Sequence, residues 1–67
     1  MSEWHEIISA DDLPNFCEIV LVELCSGDRQ VAELDINPWT RVPGWCIPNG
    51  NWLGPIDIVK RWMEIQD

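Results

Sequence analysis

The longest apolar run of the chain is Glu18-Ile19-Val20-Leu21-Val22-Glu23-Leu24. It is rich in β-branched residues, and its length suits one strand and is short for a helix. Both parities are largely hydrophobic, which predicts a central strand with both faces against other parts of the protein. Ser26-Gly27-Asp28 reads as the turn of a hairpin, with Gly27 free to take positive φ. The returning strand is Arg29 to Asp35. A three-residue turn there sets Val20 opposite Leu34, Val22 opposite Ala32 and Leu24 opposite Gln30. This register gathers those apolar side chains on one face. It leaves Ile19, Leu21 and Val31 on the other, beside Glu23, Glu33 and Asp35, and a one-residue slip would mix the two sets.

The flanks are shorter. Trp4-His5-Glu6-Ile7-Ile8 is an apolar lead-in, an edge strand or an extended arm. Ser9 can cap a helical turn whose carboxylates, Asp11 and Asp12, suit its positive end. Pro14 then disfavours helical geometry at Leu13. The stretch from Asn37 to Gly44 holds two prolines and a glycine and is a loop. Trp45-Cys46-Ile47 is a third strand. Asn49-Gly50 signals a type I′ turn, and Asn51-Trp52-Leu53 is the paired strand. The closing segment, Ile56 to Ile65, has two readings. Ile58, Arg61, Trp62 and Ile65 stand at helical spacing behind a possible Asp57 cap, but the same residues can form a closing strand. The expected fold is mainly β: a small antiparallel sheet or partly open barrel with a short N-terminal helical turn. An α+β fold is the alternative if the closing segment is helical. Val20, Val22, Leu34, Trp45 and Trp62 are the expected core.

Sixty-seven residues (1–67) make a single small domain. A chain of this size buries only about 60% of the surface its unfolded form exposes. Five tryptophans offset that, since each can bury roughly 150–250 Å². Twelve acidic residues against four basic ones give a net charge of −8. Direct binding to nucleic acid is therefore excluded as an expectation, because little is present to neutralise phosphates. Solubility is the common reason for such a charge. The sharper reading is binding to a basic surface, such as the nucleic-acid channel of another protein. Cys17, Cys25 and Cys46 are odd in number and lack paired spacing, which fits reduced intracellular thiols. The polar, acidic stretch from Met1 to Glu6 does not read as a signal peptide, and no stretch approaches the ~20 apolar residues of a membrane helix.

The order of motifs resembles an uncharacterised family of small phage and prophage proteins. The matching elements are Trp4, Leu13-Pro14, Val20-Leu21-Val22, Gly27-Asp28, Val31-Ala32, Trp45, and the closing Val59-Lys60-Arg61-Trp62-Met63-Glu64-Ile65. Together they span nearly the whole chain. The stretch from Trp4 to Leu13 is longer than usual for the family. Arg61 stands where histidine is frequent, and Glu64 where proline is. The resemblance implies a small β-rich fold with the closing segment as a strand, in the cytoplasm of an infected bacterial host cell. It implies no activity.

No catalytic set is visible, and an enzyme is not expected. A Cys₃His set could bind zinc chemically, but none of Cys17, Cys25, Cys46 and His5 is paired at knuckle spacing, and buried cysteines are far commoner. No metal or other cofactor is expected. Asp11 and Asp12 are explained by the helix start. Most tryptophans are core. Trp39 is the exception, in the proline-bounded loop beside Arg41: it is either an exposed anchor or a lid folded over the core. The expected function is that of an acidic interaction protein, monomeric or homodimeric. It would inhibit a host nucleic-acid-handling defence factor, in the manner of an anti-CRISPR or anti-nuclease protein. Glu23, Glu33, Asp35 and Trp39 are the expected partner-binding residues. Alternatives are a nucleotide-signal binder that stacks its ligand on tryptophan, or an accessory structural phage protein.

Overall fold

The computed structural model describes residues 3–65. Its strands are β1 (His5–Glu6), β2 (Ile19–Leu24), β3 (Arg29–Ile36), β4 (Pro43–Cys46), β5 (Trp52–Pro55) and β6 (Val59–Glu64). They form one open sheet in the order β1-β6-β2-β3-β4-β5, with every neighbouring pair antiparallel. The mainly-β expectation holds, and β2 lies inside the sheet. Two 3₁₀ turns, Ala10–Asp12 and Ile56–Ile58, are the only helical elements among the described residues.

The closing segment is a strand after a single 3₁₀ turn, not a helix. The spacing of Ile58, Arg61, Trp62 and Ile65 does not mark one face: Arg61 lies on the outer face, Trp62 is core and Ile65 is exposed. Glu23 pairs with Arg61 and Leu24 with Val59, so Lys60 is an extra residue in β6. That β-bulge stretches a period of two into a spacing of three, and Val59 and Trp62 both face the core. A helix here would also leave one edge of β2 without hydrogen-bond partners.

Both hairpin turns differ in detail from expectation. The first connection is Cys25-Ser26-Gly27, one residue earlier than Ser26-Gly27-Asp28. Gly27 N–H donates to the Leu24 carbonyl (2.8 Å) and Leu24 N–H to that of Asp28 (2.7 Å). Val20 therefore pairs with Ala32 and Val22 with Gln30. The register moves by two residues, so each side chain keeps its expected face. The second connection, Pro48-Asn49-Gly50, makes the same pair of bonds. Gly50 has φ +101° whereas Asn49 does not take positive φ, so this is not the type I′ turn that Asn49-Gly50 suggests. Pro48 supplies the fixed φ that suits the first corner of such a loop.

One face of the sheet carries the core: Val20, Val22, Ala32, Leu34, Trp45, Val59 and Trp62. Ile7, Leu13, Leu53, Ile56 and Ile58 close over it. The two core tryptophans also fasten the covering segments. Trp62 Nε1 donates to the Asp12 carbonyl at 2.7 Å, and Trp45 Nε1 to that of Ile56 at 3.2 Å. Each buried indole thus satisfies its one donor and holds a 3₁₀ turn over the core. Ser9 and Asp12 form a capping box on the first turn, with Asp12 Oδ2 accepting from Ile8 and Ser9 N–H at 2.9 Å each. These bonds, Ser9 first, lower the Asp12 pKa.

Candidate partner-binding face

The other face of the sheet is organised in rows across the strands. The first row is Glu6, Arg61, Glu23 and Arg29, on β1, β6, β2 and β3 in turn. Glu23 is only 4% exposed. Arg29 Nε and Arg61 donate to its Oε1 at 2.9 and 3.0 Å, and Lys60 Nζ reaches Oε2 at 2.9 Å. The bulge lets Lys60 and Arg61, adjacent in sequence, aim at the same carboxylate. Hydrogen bonds from Arg61 and then Lys60 lower the Glu23 pKa to about 2, against the opposing effect of burial. Glu6 adds a contact to Arg61 at 3.6 Å. Trp4 lies against both guanidinium groups, 4.7 Å from Arg61 and 5.1 Å from Arg29, within cation–π range.

The second row is apolar: Met63, Leu21 and Val31 stand side by side on β6, β2 and β3. Val31 is 39% exposed, and Ile19, one step along β2, is 48% exposed. The third row runs Ile19, Glu33, Cys46 and Trp52, and the fourth runs Asp35, Gly44 and Pro55. Glu33 and Asp35 are half-buried, and neither has an ion-pair partner among the described residues. Burial raises the Cys46 thiol pKa, and both carboxylates push it further up, so the field at this end is negative.

The expected partner-binding residues thus divide. Glu33 and Asp35 sit together at the acidic end. Glu23 shares their face, but its charge is already met by three cations of the same chain. Trp39 is 88% exposed, in the β3–β4 loop, so it is not a lid folded over the core. Asn37 Oδ1 shapes that loop by accepting from Trp39 and Thr40 N–H. Sequence reasoning placed Ile19, Leu21 and Val31 together on this face without reading them as a binding surface, and only the β2–β6 pairing adds Met63.

The other indoles have assigned places. Trp45 and Trp62 are core, Trp4 covers the arginines, and Trp52 lies on Gly44. A Cβ on Gly44 would stand 2.5 Å from Trp52 Cζ2 and 2.6 Å from the Gly54 carbonyl oxygen. Backbone cannot yield as a side chain can. Gly44→Ala is therefore expected to cost about 1–3 kcal/mol, the range for overpacking. A urea midpoint unchanged from the parent would contradict the seating of Trp52 on Gly44.

No family model, no curated protein and no solved structure matches the chain. No helix among the described residues is long and apolar enough to cross a membrane.

Proposed function

We propose that this chain is a small acidic interaction protein that binds a basic surface on another protein. The target class is a host nucleic-acid-handling defence factor, whose groove the acidic chain occupies in place of nucleic acid. A phage-encoded inhibitor is the setting that the motif resemblance suggests. The carrying observation is how the charges are distributed. Three of the four cations are held by Glu23, with Glu6 beside them, which leaves ten acids and only Arg41 in the rest of the sequence. Negative charge that is not neutralised internally steers encounter with a basic partner and excludes acidic ones. Exposed Trp39 follows β3 at its Asp35 end and supplies an aromatic anchor. The tryptophan-stacking alternative is less favoured. A nucleotide phosphate needs cations or backbone N–H groups, and three of the four cations are committed to Glu23.

The test is the double reversal Glu33→Lys/Asp35→Lys, with Glu23 left intact because a lysine there would face three cations. Affinity capture from lysate of a susceptible host should yield a nucleic-acid-binding protein. Its binding should weaken at least tenfold in the double variant, and a competing oligonucleotide should displace it. A captured partner indifferent to both oligonucleotide and charge reversal would leave the accessory structural role as the better reading.

A further inference from the structure

We propose that the docking surface is the outer face of β6, β2 and β3, and that its occupant is an exposed basic helix of the partner. The inference rests on the acidic-interaction reading and names the surface and the partner element. Antiparallel sheets commonly leave one face to water, and that face is then polar along each strand. Here Met63, Leu21 and Val31 form an apolar row directly across three strands, extended along β2 by Ile19. Three strands span two interstrand spacings, roughly 10 Å. That is about the diameter of a helix with its side chains.

The two ends of this platform differ in charge. At one end Arg29, Lys60 and Arg61 converge on Glu23 beneath Trp4. At the other, Glu33 and Asp35 have no cation among the described residues. A helix lying along the strands, with its apolar stripe over Leu21 and Ile19 and its width filling the row from Met63 to Val31, can place lysines or arginines over Glu33 and Asp35. Its positive N-terminal end is favoured at those carboxylates, and its negative C-terminal end at the arginines. The face thus selects both the chemistry of the partner and the direction in which its helix runs. A second copy of this chain is a poorer occupant, because two chains of net charge −8 repel.

The experiment is an amide NMR titration of the full chain with three synthetic peptides of identical composition. The first is a Leu/Lys helix with an apolar stripe and its extra lysines at the N-terminus. The second has those lysines at the C-terminus, and the third is scrambled to abolish the stripe. The first should bind most tightly, with shifts concentrated at Ile19, Leu21, Val31, Glu33 and Asp35. Val31→Lys and, separately, Ile19→Lys should each weaken it at least tenfold, with spectral dispersion confirming that they fold. Asp11→Lys and Asp57→Lys, on the 3₁₀ turns, should change it less than twofold. If the scrambled peptide binds equally in a salt-dependent manner, the surface is wrong while the acidic reading stands. If the first two peptides bind equally, the direction is wrong. If no peptide binds, or binding ignores salt, the acidic reading itself falls. Self-association that Val31→Lys abolishes would assign the face to a second copy and overturn the proposal.

Discussion

Trp45→Ala should leave little folded protein at room temperature. Trp45 is fully buried on the β4 side of the core, and its indole N–H holds the Ile56 carbonyl and so the second 3₁₀ turn. Truncating a buried Trp typically costs about 3–5 kcal/mol, from lost transfer energy and from the cavity left behind. At roughly 0.05–0.15 kcal/mol per residue, a domain of this length has only about 3–10 kcal/mol in total. Trp62→Ala should be nearly as severe, because Trp62 closes the other side of the core and holds the Asp12 carbonyl. Trp45→Phe is the milder variant: it removes the donor and part of the ring volume but keeps an aromatic ring in the core, so it should remain folded with a loss on the order of 1–3 kcal/mol. Urea unfolding followed by far-UV dichroism measures all three. A Trp45→Ala protein that melts within a few degrees of the parent would mean that the core is not built on this indole.

Much of this fold is legible locally. The β2–β3 hairpin follows from a β-branched run, a glycine and a returning alternation. The capping box follows from Ser9 and Asp12. What local pattern does not reach is pairing between distant segments. The β2–β6 contact joins residues some forty positions apart, and no turn signal announces it. That contact puts Arg61 and Trp62, neighbours in the apparent helical spacing, on opposite faces, and the bulge at Lys60 is visible only against the strand it faces. The first turn lies one residue earlier than expected because a three-residue loop of this kind takes positive φ at its last position, which is where Gly27 stands.

The same limit governed the candidate site. With the hairpin register moved by two, Glu23 faces Arg29 directly, a pairing that the sequence could have suggested. The contributions of Lys60 and Arg61 depend on the sheet order. Counting acids along the strands therefore grouped Glu23 with Glu33 and Asp35 as one surface. Sheet topology separates a neutralised carboxylate from two uncompensated ones, although all three share a face. Trp39 was legible as a loop residue, and Asn37 Oδ1 accepts from its backbone N–H within that loop.

Lowering the pH should destabilise the protein through Glu23 in a defined interval. Its folded-state pKa lies at about 2, below the ordinary glutamate value of 4.5. The unfolded chain therefore binds a proton there at higher pH than the folded chain does, and stability rises with pH across the gap. The contribution is fully present above the unfolded value and is lost as pH falls toward about 2. Asp12 acts in the same direction, since backbone N–H groups hold its pKa down as well. Glu23→Gln should accordingly reduce the dependence of Tm on pH between about 4.5 and 2, and adding Asp12→Asn should reduce it further. At neutral pH the same Glu23→Gln should be clearly less stable than the parent, because Arg29, Lys60 and Arg61 are left converging with only Glu6, at Arg61, as a counter-charge. Should it be too unstable to titrate, Lys60→Gln gives the answer from the other side. Removing one of three donors raises the Glu23 pKa, so the acid transition should shift upward while the protein stays folded at pH 7. Parallel Tm curves for Lys60→Gln and the parent throughout this interval would mean that Glu23 is not the group that acid titrates.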